Sequence, residues 1–266
     1  HDGVLTPYEY IPVLVELTEA EAQDYLDLSD QISRIYAAAK SGKSPESDER
    51  LKALLMRRAR LIGAAANKLP ALQDVMEDQG RIEPYSLFYC SDGRTTIDVE
   101  HDDEGAPEDS VTAKQRHAVA QLLMKRGVNV SPFTSNENRW QRREILSQFK
   151  RGETEALVAI RCLDEGIDVP ACRTAYLIAS SRNPRQFIQR RGRILRRAEG
   201  KDYAKIYDFV VVLPSGSIPV EQAGSDFLKN ELGRVADFAR NSLYPASSIE
   251  PLIPWLRKYD LEHLAS

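Results

Sequence analysis

The stretch that decides the fold runs from Leu157 to Arg197 and reads LVAIRCLDEGIDVPACRTAYLIASSRNPRQFIQRRGRILRR. At its start, an apolar run from Ala156 to Ile160 leads into an acidic turn, Asp164 to Asp168, which Pro170 closes. This order predicts a buried strand that ends in a tight loop carrying carboxylates.

The end of the same stretch is rich in arginine and has helix-like spacing. Like charges packed this densely repel one another, which indicates that an anion belongs nearby. The planar guanidinium matches phosphate oxygens two at a time. A solvated basic helix face is the alternative, and the acidic loop shortly before it favours the anion. The arginines surround Gly192 and are Arg190, Arg191, Arg193, Arg196 and Arg197.

Two short motifs in this stretch resemble those of superfamily 2 helicases and translocases. EGIDVP, from Glu165 to Pro170, resembles motif V, and QRRGRILR, from Gln189 to Arg196, resembles motif VI, whose pattern is Q-x-x-G-R-x-x-R. They stand in the family's order and one strand separates them. The resemblance covers residues 85–213 and implies the second of the two RecA-like lobes of such a motor.

The resemblance also implies residue roles around ATP. Arg193 and Arg196 correspond to catalytic arginine fingers that reach the γ-phosphate. We expect the acidic loop and the arginine segment to meet beyond the carboxyl ends of the strands. Arg191 and Arg197 are open between such a role and plain surface charge. The implied nucleotide contacts are Gln189, Asp168, which accepts from ribose hydroxyls, Gly166 and Glu165, which shape the loop, and Arg190, a bridge to the first lobe.

ATP would be bound with Mg²⁺ that the first lobe holds, and that lobe's motifs are missing from this sequence. There is no G-x-x-x-x-G-K-[ST] and no D-E-x-H. The triplet Gly42-Lys43-Ser44 is not a phosphate loop, because Ala37 stands where the first glycine belongs and no strand precedes it. We therefore expect the chain alone not to hydrolyse ATP.

Nucleic acid is the expected partner, with DNA favoured. Ile160 stands where many relatives have a threonine that contacts a nucleic-acid phosphate, so contact at that position is in doubt. Arg161 is a candidate replacement, and Ser91 and Ser135, at the ends of two predicted strands, are further candidates, together with amides at helix starts. Such contacts carry no sequence information, which predicts salt-sensitive, sequence-blind binding.

The whole chain predicts an α/β protein in three parts. Residues 1–84 form an interlobe strand and a helical arm, in which Thr18 and Glu21 make a capping box; an independent helical hairpin is the alternative. Residues 85–214 form a RecA-like parallel sheet flanked by helices. Residues 215–266 form a helical tail. Within the second part, residues 138–153 predict a helix whose apolar face carries Trp140, Ile145, Leu146 and Phe149.

Composition narrows the class of protein. The net charge of −4 over 266 residues means that any nucleic-acid surface is local. The three cysteines lack metal spacing and favour a reducing cytoplasm. The acidic stretch 98–109 favours a solvated loop over a metal site. No apolar run reaches the roughly 20 residues that span a bilayer, no signal peptide is visible, and a first residue of His suggests a piece of a larger protein.

Three functions compete at this point. The leading one is the second lobe of an ATP-dependent helicase or translocase, most similar to bacterial enzymes of restriction, phage defence or repair. The second is a non-catalytic module that binds nucleic acid or a partner and derives from such a lobe. The third, a small-molecule nucleotide enzyme, is disfavoured because no G-x-G-x-x-G occurs.

Overall fold

The structure is a computed structural model and describes residues 5–39, 49–90, 110–134, 137–160, 172–179, 192, 194–214 and 225–265. Its centre is a sheet of six strands, all parallel, in the order β1-β6-β5-β2-β4-β3. The predicted RecA-like α/β fold is therefore confirmed. The strands are β1 (Tyr8–Glu16), β2 (Ser86–Tyr89), β3 (Val130–Phe133), β4 (Ala156–Ala159), β5 (Thr174–Leu177) and β6 (Ala204–Val212).

Both faces of the sheet are covered, which explains why its strands read as apolar runs. All residues of β2, β4 and β5 are buried, as expected for a parallel sheet between helices. Leu87 and Tyr89 point into one apolar core, and Phe88 points into the other. The helices are α1 (Glu19–Ala39), α2 (Glu49–Gly63), α3 (Lys68–Gln79), α4 (Ser110–Lys125), α5 (Arg139–Arg151), α6 (Ser225–Arg240), α7 (Pro245–Ile249) and α8 (Ile253–Lys258).

Local capping signals fix several helix ends where the sequence predicts them. The hydroxyl of Thr18 accepts from the amide of Glu21 at 3.3 Å, and the Glu21 carboxylate accepts from the amide of Thr18 at 3.0 Å. Gly152 ends α5 at φ 75°, a left-handed conformation that glycine adopts without steric cost. The predicted capping box at Thr18 is confirmed.

The helical arm differs from its prediction at one point. The apolar spacing of the sequence predicts one helix from about Asp48 to Leu69 and a further segment from Pro70 to Gln79, but α2 ends at Gly63 and α3 begins at Lys68. The carbonyl of Gly63 accepts from Lys68 Nζ at 3.4 Å and from Gln115 Nε2 at 3.0 Å. Side chains thus take the place of the next helical turn for this carbonyl.

The arm and the sheet are joined at the chain's start. Strand β1 pairs with β6 along its whole length, and Tyr25 and Ile62 of the arm lie in the same core as the sheet residues. The division of the chain at residues 84 and 214 stays a prediction.

A buried ion network fastens the tail to the sheet. Asp208 of β6 accepts from Tyr10 Oη at 2.7 Å and from Arg234 Nη1 at 3.1 Å. Arg234 also pairs with Glu231 at 2.5 Å. Burial alone lowers the pKa of Arg234, but the carboxylates of Glu231 and Asp208 outweigh that effect and hold the pKa above its ordinary value. Phe238 of the same helix packs on the Tyr10 ring, with centroids 5.3 Å apart.

A fully buried lysine fastens the arm to the carboxyl end of β5. Lys68 Nζ donates to the carbonyl of Ile178 at 2.6 Å. Burial lowers the pKa of this ammonium from 10.5 to about 8, against smaller opposing effects from Asp208 and Glu231. The ammonium therefore holds the arm in place at a cost in desolvation.

We predict that Arg234→Ala lowers the free energy of unfolding by about 3 kcal/mol or more, because it leaves the buried Asp208 carboxylate without its cation. Urea denaturation measures the effect. The matched control is Arg34→Ala, which breaks an exposed pair with Asp30 of 2.6 Å and should cost less than about 1 kcal/mol. Equal, small losses in both variants would contradict the buried network.

We predict a second stability effect that depends on pH. Between pH 8 and 10.5 the unfolded chain binds more protons at Lys68 than the folded chain does, because the folded pKa is the lower one. The free energy of unfolding should therefore rise with pH in this window, by up to about 3 kcal/mol relative to Lys68→Met. Denaturation of both proteins at pH 7.5 and pH 10 tests this, with the exposed Lys150→Met as control. The prediction fails if the unfolding free energy of the wild type, relative to that of Lys68→Met, stays constant or falls between pH 7.5 and pH 10.

Candidate functional site

The carboxyl ends of three neighbouring strands form one edge of the candidate site. Tyr89 of β2 and Phe133 of β3 both stand in register with Ala159 of β4. One residue further on, the amide of Cys90 donates to the carbonyl of Ala159 at 2.9 Å, and the amide of Ile160 donates to the carbonyl of Phe133 at 3.2 Å. Cys90, Thr134 and Ile160 therefore lie side by side.

Each predicted strand-contact residue comes next in sequence after one of these three positions. Ser91 follows Cys90, Ser135 follows Thr134, and Arg161 follows Ile160. All three contact residues lie outside the described part of the chain, so their roles stay predictions. What the structure adds is that the positions just before them are neighbours at one edge.

Ile160 has a structural role at this edge. Its side chain is 7% exposed and packs in the core that contains Phe88 and Tyr176. Ile160 extends the strand pairing with its backbone, and its side chain fills the core. The side chain is therefore unavailable to a ligand. This geometry agrees with the expectation that residue 160 makes no phosphate contact through a hydroxyl.

A second capping arrangement sets the start of α5 at the same edge. The buried hydroxyl of Thr134 donates to Glu137 Oε2 at 2.9 Å. The side chain of Asn138 then accepts from the amides of Trp140 and Gln141, each at 3.0 Å. This contact was not predicted, although Thr134-x-x-Glu137 repeats the pattern of Thr18-x-x-Glu21.

The prediction that Trp140 lies on the apolar face of α5 is wrong. Its side chain is 72% exposed, whereas Phe149 is 1% exposed. The two residues are nine positions apart, which places them about 180° apart around a helix. Residue type alone places Trp140 with the core residues. The helical period, in contrast, places it on the opposite face of α5.

Only part of the arginine segment is described. Gly192 and Ile194 are helical, and Ile194 and Leu195 are buried at 0% and 1% exposure, while Arg196 and Arg197 are exposed. The other residues assigned to the nucleotide lie outside the described part of the chain. These are Arg193, Gln189, Arg190, Asp168, Gly166 and Glu165.

Arg196 lies at the opposite edge of the sheet from the one we expected. It forms an antiparallel bridge with Leu5, and the amide of Thr6 donates to the carbonyl of Leu195 at 2.7 Å. Leu5 and Thr6 precede β1, so this contact lies at the amino ends of the strands. For Arg196 the expectation is wrong because the segment belongs to the crossover from β5 to β6, and such a crossover must return the chain to the amino edge. The acidic loop and the earlier arginines lie outside the described part of the chain, so their place stays a prediction.

A buried lysine holds the end of the arginine segment. Lys201, 8% exposed, donates to the carbonyl of Ile194 and, at 3.2 Å, to that of Arg196. The Thr6 hydroxyl donates to the same Arg196 carbonyl at 3.3 Å. An ammonium at a helical C-terminus satisfies carbonyls that the helix itself leaves open. The backbone of Arg196 is thus fixed while its side chain is exposed, an arrangement suited to reaching a ligand outside the lobe.

The described helices give no sign of a membrane segment. Among the residues that the structure describes, none forms a helix with both the length and the apolar character that a bilayer span requires.

Known proteins are similar in sequence to part of this chain. The model of the helicase conserved C-terminal domain matches residues 108–198. The chain is 44% identical over 59 residues to the DNA 3'-5' translocase XPB2 of Sulfurisphaera tokodaii, which is 22% of this chain and 13% of that protein. It is 34% identical over 89 residues to the putative ATP-dependent helicase IRC3 of Saccharomyces cerevisiae, which is 34% of this chain and 13% of that protein.

The chain thus spans about an eighth of the length of these two curated relatives. A looser structural likeness, from which nothing further follows, is to the C-terminal part of the Fun30 ATPase domain. It has a TM-score of 0.49 and 12% identity, over 85% of this chain and 98% of that one. Residues 108–198 of the chain therefore match the helicase conserved C-terminal domain and resemble, in this region, the second RecA-like lobe of superfamily 2 helicases and translocases.

Proposed function

We propose that this chain works as the second lobe of an ATP-dependent nucleic-acid helicase or translocase and supplies arginine fingers and strand contacts. The observation that carries the proposal is the helicase C-terminal match over residues 108–198, which includes both motif V and motif VI. The all-parallel sheet supports it, because the fold presents loops from neighbouring strands at one edge.

In this proposal the finger residues are Arg193 and Arg196. Phosphoryl transfer to water needs charge compensation on the γ-phosphate, and Mg²⁺·ATP held mainly by a first lobe is the reactant. The described residues fit such a ligand: Arg196 is exposed, and Lys201 and Thr6 hold its backbone. Because this backbone is already ordered, little further backbone entropy is lost when the residue meets phosphate. Gln189, Asp168, Gly166, Glu165 and Arg190 complete the proposed nucleotide contacts.

The nucleic-acid partner in this proposal is DNA. The archaeal relative is named a DNA 3'-5' translocase, which favours DNA over RNA. Ser91, Ser135 and Arg161 follow three adjacent strand ends and are the proposed phosphate contacts. Cys90 and Cys172 are buried and form no disulfide, and burial raises the pKa of Cys172 to about 12, which keeps that thiol in its inert form. Both suit the proposed reducing cytoplasm.

The mutation test uses the protein in which this chain is joined to a first lobe. We predict that Arg193→Ala and Arg196→Ala each lower the kcat of ATP hydrolysis by about 10² or more, with DNA affinity near normal, because a finger acts mainly in the transition state. Arg197→Ala is the matched control and should leave kcat near that of the wild type. Steady-state ATPase assays and oligonucleotide titrations measure the two quantities.

Three outcomes would contradict this assignment. If the Arg193→Ala and Arg196→Ala variants lost DNA binding and kept their turnover, these arginines would contact the nucleic acid and not the γ-phosphate. Vigorous DNA-stimulated hydrolysis by the 266-residue chain alone would show that the first lobe is not needed. Unchanged turnover in all variants would favour the alternative function, a non-catalytic binding module derived from a helicase lobe.

A further inference from the structure

Trp140 is a large aromatic side chain in an unusual place. It lies in the first turn of α5 and is 72% exposed, the largest exposure among the described bulky apolar residues. The other tryptophan, Trp255, is 8% exposed. An exposed aromatic ring of this size is available to a ligand with a flat face.

The ring stands at the edge of the sheet that carries the proposed strand contacts. The hydrogen bond from Thr134 to Glu137 links the carboxyl end of β3 to the residue before Asn138, and Asn138 caps the turn of helix that holds Trp140. A shallow cavity of about 200 Å³ lies beside the ring, and Pro132, Gln141 and Ile145 are among its lining residues.

Arginines outnumber carboxylates near the ring, although the chain as a whole is negative and Glu137 and Glu144 line the same cavity. Arg139 and Arg143 flank Trp140 and are exposed. The nearby carboxylates are engaged within the protein: Glu137 accepts from the Thr134 hydroxyl, and Glu144 accepts from Gln148 Nε2 at 3.1 Å. An aromatic ring beside arginines is the combination that binds single strands, since the ring stacks on a base and the cations attract phosphates.

A protein strand is a poor alternative occupant here. β3 is the outermost strand of the sheet, and Pro132 stands in its middle with no N–H to offer a further strand. Hydrogen bonding along this edge is therefore interrupted. The features that this edge still offers to a ligand are the Trp140 ring and the neighbouring arginines.

We propose that Trp140 stacks on a base of single-stranded nucleic acid whose phosphates the adjacent arginines and strand ends contact. This inference rests on the proposed function and deepens it, because it assigns a base contact to a lobe whose predicted contacts all go to phosphate. Stacking tolerates any base, so the binding stays sequence-blind.

The chain offers its own probe for this contact. Trp140 and Trp255 are its two tryptophans, so Trp255→Phe leaves Trp140 as the single source of indole fluorescence. This 266-residue variant is titrated at low salt with oligothymidylate about 12 nucleotides long, and separately with an abasic oligonucleotide of equal length. Anisotropy of an end label reports binding, and indole emission reports stacking.

Stacking predicts that oligothymidylate quenches the indole emission and that the abasic oligonucleotide binds without quenching. Trp140→Ala should weaken oligothymidylate binding at least about fivefold and leave the abasic affinity unchanged. Trp140→Phe should weaken oligothymidylate binding less than Trp140→Ala does, because phenylalanine keeps an aromatic ring. Tyr244→Ala is the matched control, since that ring is 59% exposed and lies by β1 at the far side of the sheet.

Binding that is unaffected by Trp140→Ala would overturn the inference and leave the proposed phosphate contacts standing. An equal loss of affinity for both oligonucleotides would also overturn it, because the effect would then be independent of bases. Failure of the Trp255→Phe chain and of the unaltered chain to bind either oligonucleotide would overturn the proposed strand contact and the stacking together.

Discussion

Parallel hydrogen bonding of all six strands is the constraint on which the rest of this structure depends. Two parallel neighbours cannot be joined by a tight turn, so each connection must travel back along the sheet and cover one of its faces. Every strand then ends at the same edge, and every crossover arrives at the opposite one. The sheet therefore has two chemically different edges, and the described residues can be assigned to one or the other.

The described residues of the proposed site are divided between these two edges. Thr134, Ile160 and Trp140 lie at or beside the carboxyl edge, where the strand contacts are proposed. Arg196 lies at the amino edge, where Thr6 and Lys201 hold its backbone. Buried cations stiffen this frame at several points, since Lys68 ties the arm to β5 and Arg234 ties the tail to β6.

Features that depend on local sequence were predictable, and features that depend on distant partners were not. The apolar runs of β4 and β5 and the capping box at Thr18 are readable because the residues that matter are neighbours in the chain. Lys68 and its hydrogen-bond partner Ile178 are 110 residues apart in the chain, and Tyr10 and Asp208 are 198 apart. No local sequence pattern predicts such contacts. Trp140 is a different case, because strict use of the helical period would have placed it correctly.

The position of Arg196 shows a further limit of sequence reasoning. Motif spacing indicates which residues face a nucleotide, whereas the edge of the sheet they reach depends on the path of the crossover. The rule that ligands bind at the carboxyl ends does not extend to the whole segment, because the crossover returns its last residues to the amino edge.

The most direct test of this account is a crystal structure of the protein that joins this chain to a first lobe, bound to a non-hydrolysable ATP analogue and oligothymidylate. The measured quantity is the distance from the Arg196 guanidinium to the γ-phosphate oxygens. The account predicts about 3 Å, with the oligonucleotide at the carboxyl edge. A nucleotide bound beside Thr134, with Arg196 directed away from it, would contradict the account.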